Sequence, residues 1–197
     1  MEITTMNDYF LKLKYPFDIT CLGEYVSLIK QQIFEKQNVS IYKNGVNFGV
    51  FPADRTGIND LFPGINDLVK NELFKGTNDP ILNSGCVSLY FTFPGKDTMM
   101  PIHKDLQRRS SINMNFINAQ NTVLDFFEEA DESTRVCGFS MTEDDSTLIN
   151  TEKFHGVNSR FIQSNVRAIL TYSWYKPAFA FAPIAKRLIA LGLAEAI

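Results

Sequence analysis

The chain has 197 residues, 45% hydrophobic and 13% aromatic, with 17 phenylalanines and a formal charge of -3. That composition excludes a disordered chain, which needs low hydrophobicity and high net charge, and the length fits one domain. The acidic balance speaks against a nucleic-acid partner, because such binders present a basic face, and favours a small-molecule or peptide substrate.

Residues 1–84 read as a mixed helical and hairpin region. Apolar residues at helical spacing (Tyr25, Leu28, Ile29, Ile33) predict a helix over Leu22 to Lys36. Val39 to Lys43 and Val46 to Phe51, split by Asn44-Gly45, predict a hairpin, since Asn-Gly supplies the positive φ angles of tight turns. Ile65, Leu68, Val69 and Leu73 predict a second helix over Ile65 to Phe74. Asp54 to Gly57 and Pro63-Gly64 have the composition of a loop over a barrel mouth, although turn chemistry alone accounts for them.

From residue 85 to 175 the pattern becomes a run of short strands, placed at 86–94, 98–103, 109–117, 121–127, 134–140, 146–150, 153–158 and 165–175. Turn signals separate them, at Pro94-Gly95, at Asn118 to Asn121 and in the acidic Glu128 to Glu132 stretch. Eight such strands predict a mainly β, α+β chain built on a β-sandwich or a jelly roll, with flanking N-terminal helices and a C-terminal helix over Pro183 to Ile197. Nothing marks a linker or an internal repeat, so residues 1–197 read as one domain, 176–197 being its C-terminal helix.

Side chains alternate along a strand with period two. Ser88, Tyr90 and Thr92 therefore share one face and Val87, Leu89, Phe91 and Phe93 the other. Ser111, Asn113 and Asn115 likewise stand opposite Ile112, Met114 and Phe116. Arg167, Ile169, Thr171 and Ser173 oppose Val166, Ala168, Leu170, Tyr172 and Trp174. A barrel whose outside packs on helices and whose inside holds a polar ligand has this pattern; an antiparallel sheet with one wet face has it too.

Cys21, Cys86 and Cys137 are odd in number and widely separated, which indicates neither a disulfide framework nor a cysteine zinc site and predicts a reducing, cytoplasmic setting. No apolar run approaches the roughly 20 residues of a membrane span, and the amino terminus lacks the basic start and apolar run of a signal peptide.

The chemistry-bearing residues are few. Only two histidines occur, His103 and His155. His103-x-Asp105 puts an imidazole and a carboxylate on one side of an extended segment, within reach of one ion. A distant histidine completes a two-histidine, one-carboxylate face, the set suited to Fe(II) and oxygen chemistry. His155 lies in Phe154-His155-Gly156, where the small glycine permits close backbone approach. Arg167 sits in the apolar strand Val166 to Tyr172, where a buried guanidinium demands an anionic partner. A carboxylate accepting both prongs of its fork is the natural one. Arg108, Arg109 and Arg160 read as surface charges, and Glu143-Asp144-Asp145 as a solvated turn without the spaced ligands of a calcium loop.

His103, Asp105, His155 and Arg167 in this order resemble the pattern of the Fe(II)/2-oxoglutarate-dependent oxygenase superfamily, over residues 85 to 175. The resemblance implies a double-stranded β-helix, the cupin-like jelly roll, with His103, Asp105 and His155 as iron ligands and Arg167 paired to the C5 carboxylate of 2-oxoglutarate. Tyr90, Asn113 and Asn115 are placed for further cosubstrate contacts. Many members carry Ser or Thr two positions after the arginine; this chain has Ile169, and Thr171 is the substitute on the same face.

The implied reaction uses Fe(II), 2-oxoglutarate and O2 to oxidise an amino acid, a peptide or protein side chain, or a small metabolite, releasing succinate and CO2. Retention of Asp105 favours hydroxylation, because halogenating relatives replace that carboxylate. Two other readings of the residues stay open: a cupin-type metal protein acting as isomerase or hydrolase, and a binding module of the same fold without catalysis.

Overall fold

The structure is a computed structural model that describes residues 8–35, 41–43, 46–51, 58, 61–92, 99–120, 122–142, 145–158 and 167–195. Its strands are β1 (Phe10–Lys12), β2 (Ile41–Lys43), β3 (Val46–Phe51), β4 (Cys86–Thr92), β5 (Met99–His103) and β6 (Ser110–Ile117). They continue with β7 (Val123–Phe127), β8 (Arg135–Ser140), β9 (Ser146–Ile149), β10 (Phe154–Asn158) and β11 (Arg167–Trp174). The helices are α1 (Tyr25–Glu35), α2 (Ile65–Phe74) and α3 (Phe181–Ala190).

The strands form a seven-stranded sheet in the order β1-β9-β6-β11-β4-β3-β2 and a four-stranded sheet in the order β5-β10-β7-β8. From β4 to β11 the chain passes back and forth between the sheets, and every pairing is antiparallel. This is the topology of a jelly roll, with β4, β11, β6 and β9 facing β5, β10, β7 and β8. The strand β11 lies at the centre of the larger sheet, and all eight of its residues are buried.

The alternation of the sequence separates two cores. Val87, Leu89, Ile112, Met114, Leu170, Tyr172 and Trp174 point outward from the larger sheet. They pack beneath Ile29 and Ile33 of α1, Ile65, Val69, Leu73 and Phe74 of α2, and Ile184, Ala185 and Leu188 of α3. Each such side chain, fully buried, contributes roughly 1.5–3 kcal/mol of transfer free energy. Leu124, Phe126, Phe139, Met141, Ile149, Val157 and Ile169 form the second core, between the sheets. The helices thus cover the outside, and the space between the sheets is shared by this second core and the polar residues of the inner face.

Boundaries differ from expectation in informative places. The first helix begins at Tyr25 because Leu22 belongs to a short 3-10 turn, Ile19–Leu22, capped by Asp18 and closed by Gly23 at φ 53. α3 begins at Phe181, two residues before the expected Pro183, because a proline in the first turn forfeits no intrahelical hydrogen bond. It stops at Ala190, before Gly192 at φ 70, and Ala194 then bridges to Leu13. α2 matches its expected limits, bracketed by Gly64 at φ 85 and by Lys75 and Gly76 at φ 47 and 73.

Pro63-Gly64 therefore starts a helix on the outer face of the sheet, where the Pro63 carbonyl accepts the Tyr25 hydroxyl at 2.7 Å, and does not form a loop over the barrel mouth. Asp54 to Gly57 lie outside the described residues. The hairpin β2–β3 extends the larger sheet through β3–β4 pairing; its turn, Asn44-Gly45, also lies outside them. The three cysteines are unbridged, and no helix among the described residues is long and apolar enough to cross a membrane.

Candidate functional site

His103 ends β5, and His155 stands directly opposite it on β10. The register slips by one residue just beyond this pair, and the extra residue falls on β5 beside Pro101, which has no N–H to give to the ladder. Bulges of this kind re-aim side chains, and here the two imidazole centroids lie 4.5 Å apart. Asp105 follows in the β5–β6 loop, held by its backbone N–H to the Thr151 carbonyl at 3.0 Å. Its Oδ1 is 3.7 Å from His103 Nε2. One ligand atom from each of His103, Asp105 and His155 lies within 4.8 Å of the others.

The backbone also sets the imidazole tautomers. His103 Nδ1 is 2.7 Å from the Pro101 carbonyl, and His155 Nδ1 is 2.9 Å from the Lys153 carbonyl. A carbonyl only accepts, so both Nδ1 atoms carry the proton and both Nε2 atoms keep a lone pair. Burial, helped by the neighbouring His103, pushes the His155 pKa down to about 4, leaving that ring neutral near pH 7. Two imidazole nitrogens and one carboxylate oxygen brought together here form a donor set that fits a divalent transition metal such as Fe(II).

The triad opens on a cavity of about 490 Å³ that is also lined by Tyr90, Arg108, Asn113, Arg167, Ile169 and Tyr175. Arg167 is 5% exposed. Among the described residues its guanidinium makes one long hydrogen bond, Nη2 to Thr122 Oγ1 at 3.5 Å, and its Nε has no partner. Burial pushes its pKa down to about 10, so it remains cationic at neutral pH. A buried guanidinium in this condition facing a cavity fits an anionic ligand.

The remaining residues singled out from the sequence divide. Tyr90 and Asn113 line the cavity, and burial raises the Tyr90 pKa. Asn115 and Thr171 do not line it. Asn115 Oδ1 accepts the Ala119 N–H at 3.0 Å and its Nδ2 donates to Gln120 Oε1 at 3.3 Å, shaping the β6–β7 turn. The Thr171 hydroxyl is fully buried and donates to the Ser88 carbonyl at 3.4 Å, so the wall beyond Arg167 is the apolar side chain of Ile169.

Arg108 corrects a sequence expectation. It is no surface charge: its side chain is 11% exposed, ion-paired to Asp105 Oδ2 at 2.6 Å and stacked 4.9 Å from the Tyr90 ring centroid. The signal was present as an Asp-x-x-Arg spacing, which brings the two side chains together in a turn. Arg109 is half-exposed and pairs with Glu152 at 2.7 Å; Arg160, Glu143 and Asp144 lie outside the described residues. Asp145 accepts the Thr142 N–H at 3.0 Å, consistent with a turn.

No protein-family model matches the sequence, and no curated protein matches it. Solved structures do share the fold. AviO1 from Streptomyces viridochromogenes Tue57 superposes with a TM-score of 0.51 at 12% identity, over 89% of this chain and 93% of that one. SnoN, a non-heme alpha ketoglutarate dependent epimerase from nogalamycin biosynthesis, gives 0.54 at 9%, over 86% and 77%. SnoK, a non-heme alpha ketoglutarate dependent carbocyclase of the same pathway, gives 0.50 at 9%, over 91% and 87%. At identities this low the likeness shows the architecture alone: the chain shares its jelly-roll fold with these structures.

Proposed function

We propose that the protein is an Fe(II)- and 2-oxoglutarate-dependent dioxygenase that hydroxylates an amino acid, a peptide or protein side chain, or a small metabolite. The observation that carries this reading is Arg167, a buried cation with no counter-charge among the described residues, opening on the same cavity as His103, Asp105 and His155. A cosubstrate with a carboxylate at each end suits this pairing, one end for the metal and the other for the arginine. The SnoN fold, for comparison, is known in complex with Fe3+, alpha ketoglutarate and nogalamycin RO.

When bound, Fe(II) with 2-oxoglutarate and O2 supplies the oxidation, and the cosubstrate leaves as succinate and CO2. The protein supplies the rest. His103, His155 and Asp105 would hold the metal through Nε2, Nε2 and Oδ1, and Arg167 would receive the far carboxylate of the cosubstrate as a buried, charge-assisted pair. Tyr90 and Asn113 border the same space as hydrogen-bonding groups, and Ile169 with the inter-sheet core excludes water. With both imidazoles committed to the metal, no histidine remains as a general base, which suits oxidative chemistry better than hydrolysis.

The test is succinate release by anaerobically iron-loaded protein, challenged with O2, 2-oxoglutarate and panels of amino acids, peptides and metabolites. A product carrying one added oxygen atom supports hydroxylation. A product of unchanged mass, or one lacking two hydrogens, moves the reaction to epimerisation or ring closure. Failure to bind or consume 2-oxoglutarate, with His103→Ala behaving like wild type, overturns the reading.

A further inference from the structure

The loop that carries Asp105 carries a second charge whose role is separate from that of Arg167. Arg108 places Nε at 2.7 Å and Nη2 at 2.6 Å from the same atom, Oδ2 of Asp105. The other carboxylate oxygen, Oδ1, is the one nearest His103. The guanidinium plane is further held over Tyr90. The loop is fastened at both ends: Thr151 accepts the Asp105 N–H, its hydroxyl donates to the Arg108 carbonyl at 2.7 Å, and the Arg109 N–H donates to the Trp174 carbonyl at 2.8 Å. This cation thus has its counter-charge in place, in the Asp105 carboxylate.

The geometry points to Arg108 as a positioning residue that confines Asp105 to a single metal-donor atom, Oδ1. The inference rests on the proposed oxygenase function. A free carboxylate can offer a metal either one oxygen or both. Two converging N–H groups on Oδ2 draw that oxygen away, and the fork of an arginine does this as a rigid unit. Three protein donor atoms leave room for a chelating cosubstrate and for oxygen. A fourth, from a carboxylate turned to use both oxygens, competes with the cosubstrate. Arg108 therefore acts through Asp105 and protects the cosubstrate's share of the metal.

The experiment compares wild type, Arg108→Met and Arg108→Lys anaerobically, with circular dichroism confirming the fold. Visible spectra are recorded with Co(II), and 2-oxoglutarate affinity is measured on the Fe(II)-loaded proteins. Arg108→Met is expected to take up Co(II) with an altered ligand-field spectrum and to bind 2-oxoglutarate more weakly, on the order of ten- to a hundredfold, the range seen for outer-shell partners of metal ligands. Arg108→Lys keeps one N–H for Oδ2 and recovers part of both. An unchanged spectrum and an unchanged affinity in Arg108→Met overturn this assignment and leave the oxygenase proposal standing. Wild type that binds neither metal overturns both. If Arg108→Met does not fold, Arg108→Gln takes its place with the same two outcomes.

Discussion

Arg167 Nη2 donates to Thr122 Oγ1 at 3.5 Å, and among the described residues that long contact is the hydrogen bond made by a guanidinium buried in the larger sheet. Burying a guanidinium with so little to pair it costs stability, and its chemistry fits an anionic ligand. Arg167→Met should remove the cost: an unfolding midpoint higher than wild type, by the order of 1–2 kcal/mol, in the absence of ligand. The same variant should raise the apparent KM for 2-oxoglutarate by about a hundredfold, as expected from loss of charge-assisted hydrogen bonds. Urea melts and initial-rate measurements check the two halves, and a variant less stable than wild type in the ligand-free state contradicts the first.

His155 makes the metal-free protein sensitive to acid. Its folded-state pKa, about 4, lies below the ordinary value of 6.5. Protonation therefore favours the unfolded chain: the contribution is intact above about pH 6.5 and is lost as pH falls toward and through about 4. The loss attributable to this residue amounts to about 3 kcal/mol at most. Urea midpoints measured across that range for wild type and His155→Gln should converge as the pH drops, and parallel curves would count against the buried neutral imidazole.

Metal binding should require all three donors. His103→Ala, Asp105→Ala and His155→Ala are each expected to lower Co(II) or Fe(II) affinity by at least a hundredfold in anaerobic titration calorimetry, since each removes one of three converging ligands. A Lys153→Ala control should retain wild-type affinity, because only the carbonyl of residue 153 touches His155.

Gly85 is a packing requirement. A Cβ added there would collide with Cε1 of Tyr172, whose hydroxyl is tied to the Leu82 carbonyl at 3.0 Å and whose ring meets Phe74 and Trp174 edge-on. Gly85→Ala should cost about 1–3 kcal/mol through displacement of that ring. Thermal unfolding of Gly85→Ala, Tyr172→Leu and the double variant measures the coupling, and strictly additive losses would show that the ring is free to move.

Asp79 joins the segment before β4 to α3. Its Oδ1 accepts the Ile81 and Leu82 N–H groups at 2.9 and 3.0 Å, and its Oδ2 pairs with Arg187. Asp79→Ala should cost about 1–2 kcal/mol, most of it from the lost caps, whereas Arg187→Ala, removing a partner 39% exposed, should cost less than 1 kcal/mol.

The architecture could be read from the sequence where local periodicity and tertiary burial agree. Val87 to Phe91 and Ile112 to Phe116 alternate because one side meets helices and the other the barrel interior. β1 carries no such signal: three residues are too few for a pattern, and it exists through pairing with β9. The triad was conspicuous because two histidines can make few combinations. Depth was not. Alternation places Thr171 and Arg167 on one face but does not say that Ile169 ends the cavity between them. Nor does a pair of adjacent arginines reveal that one is buried against a carboxylate, since that depends on how the β5–β6 loop is pinned to Thr151 and Trp174.

The two histidines and the aspartate are supported by different kinds of matter. Carbonyls at positions 101 and 153 orient the imidazoles, and a carbonyl is present whatever residue occupies the position. The carboxylate is oriented by a side chain, Arg108. Mutation can change the side chain at position 153 and leave the carbonyl that holds His155, whereas a single codon change removes the support of Asp105. The imidazole arms are thus built to tolerate sequence drift, and the carboxylate arm is the one through which evolution can most readily retune the site.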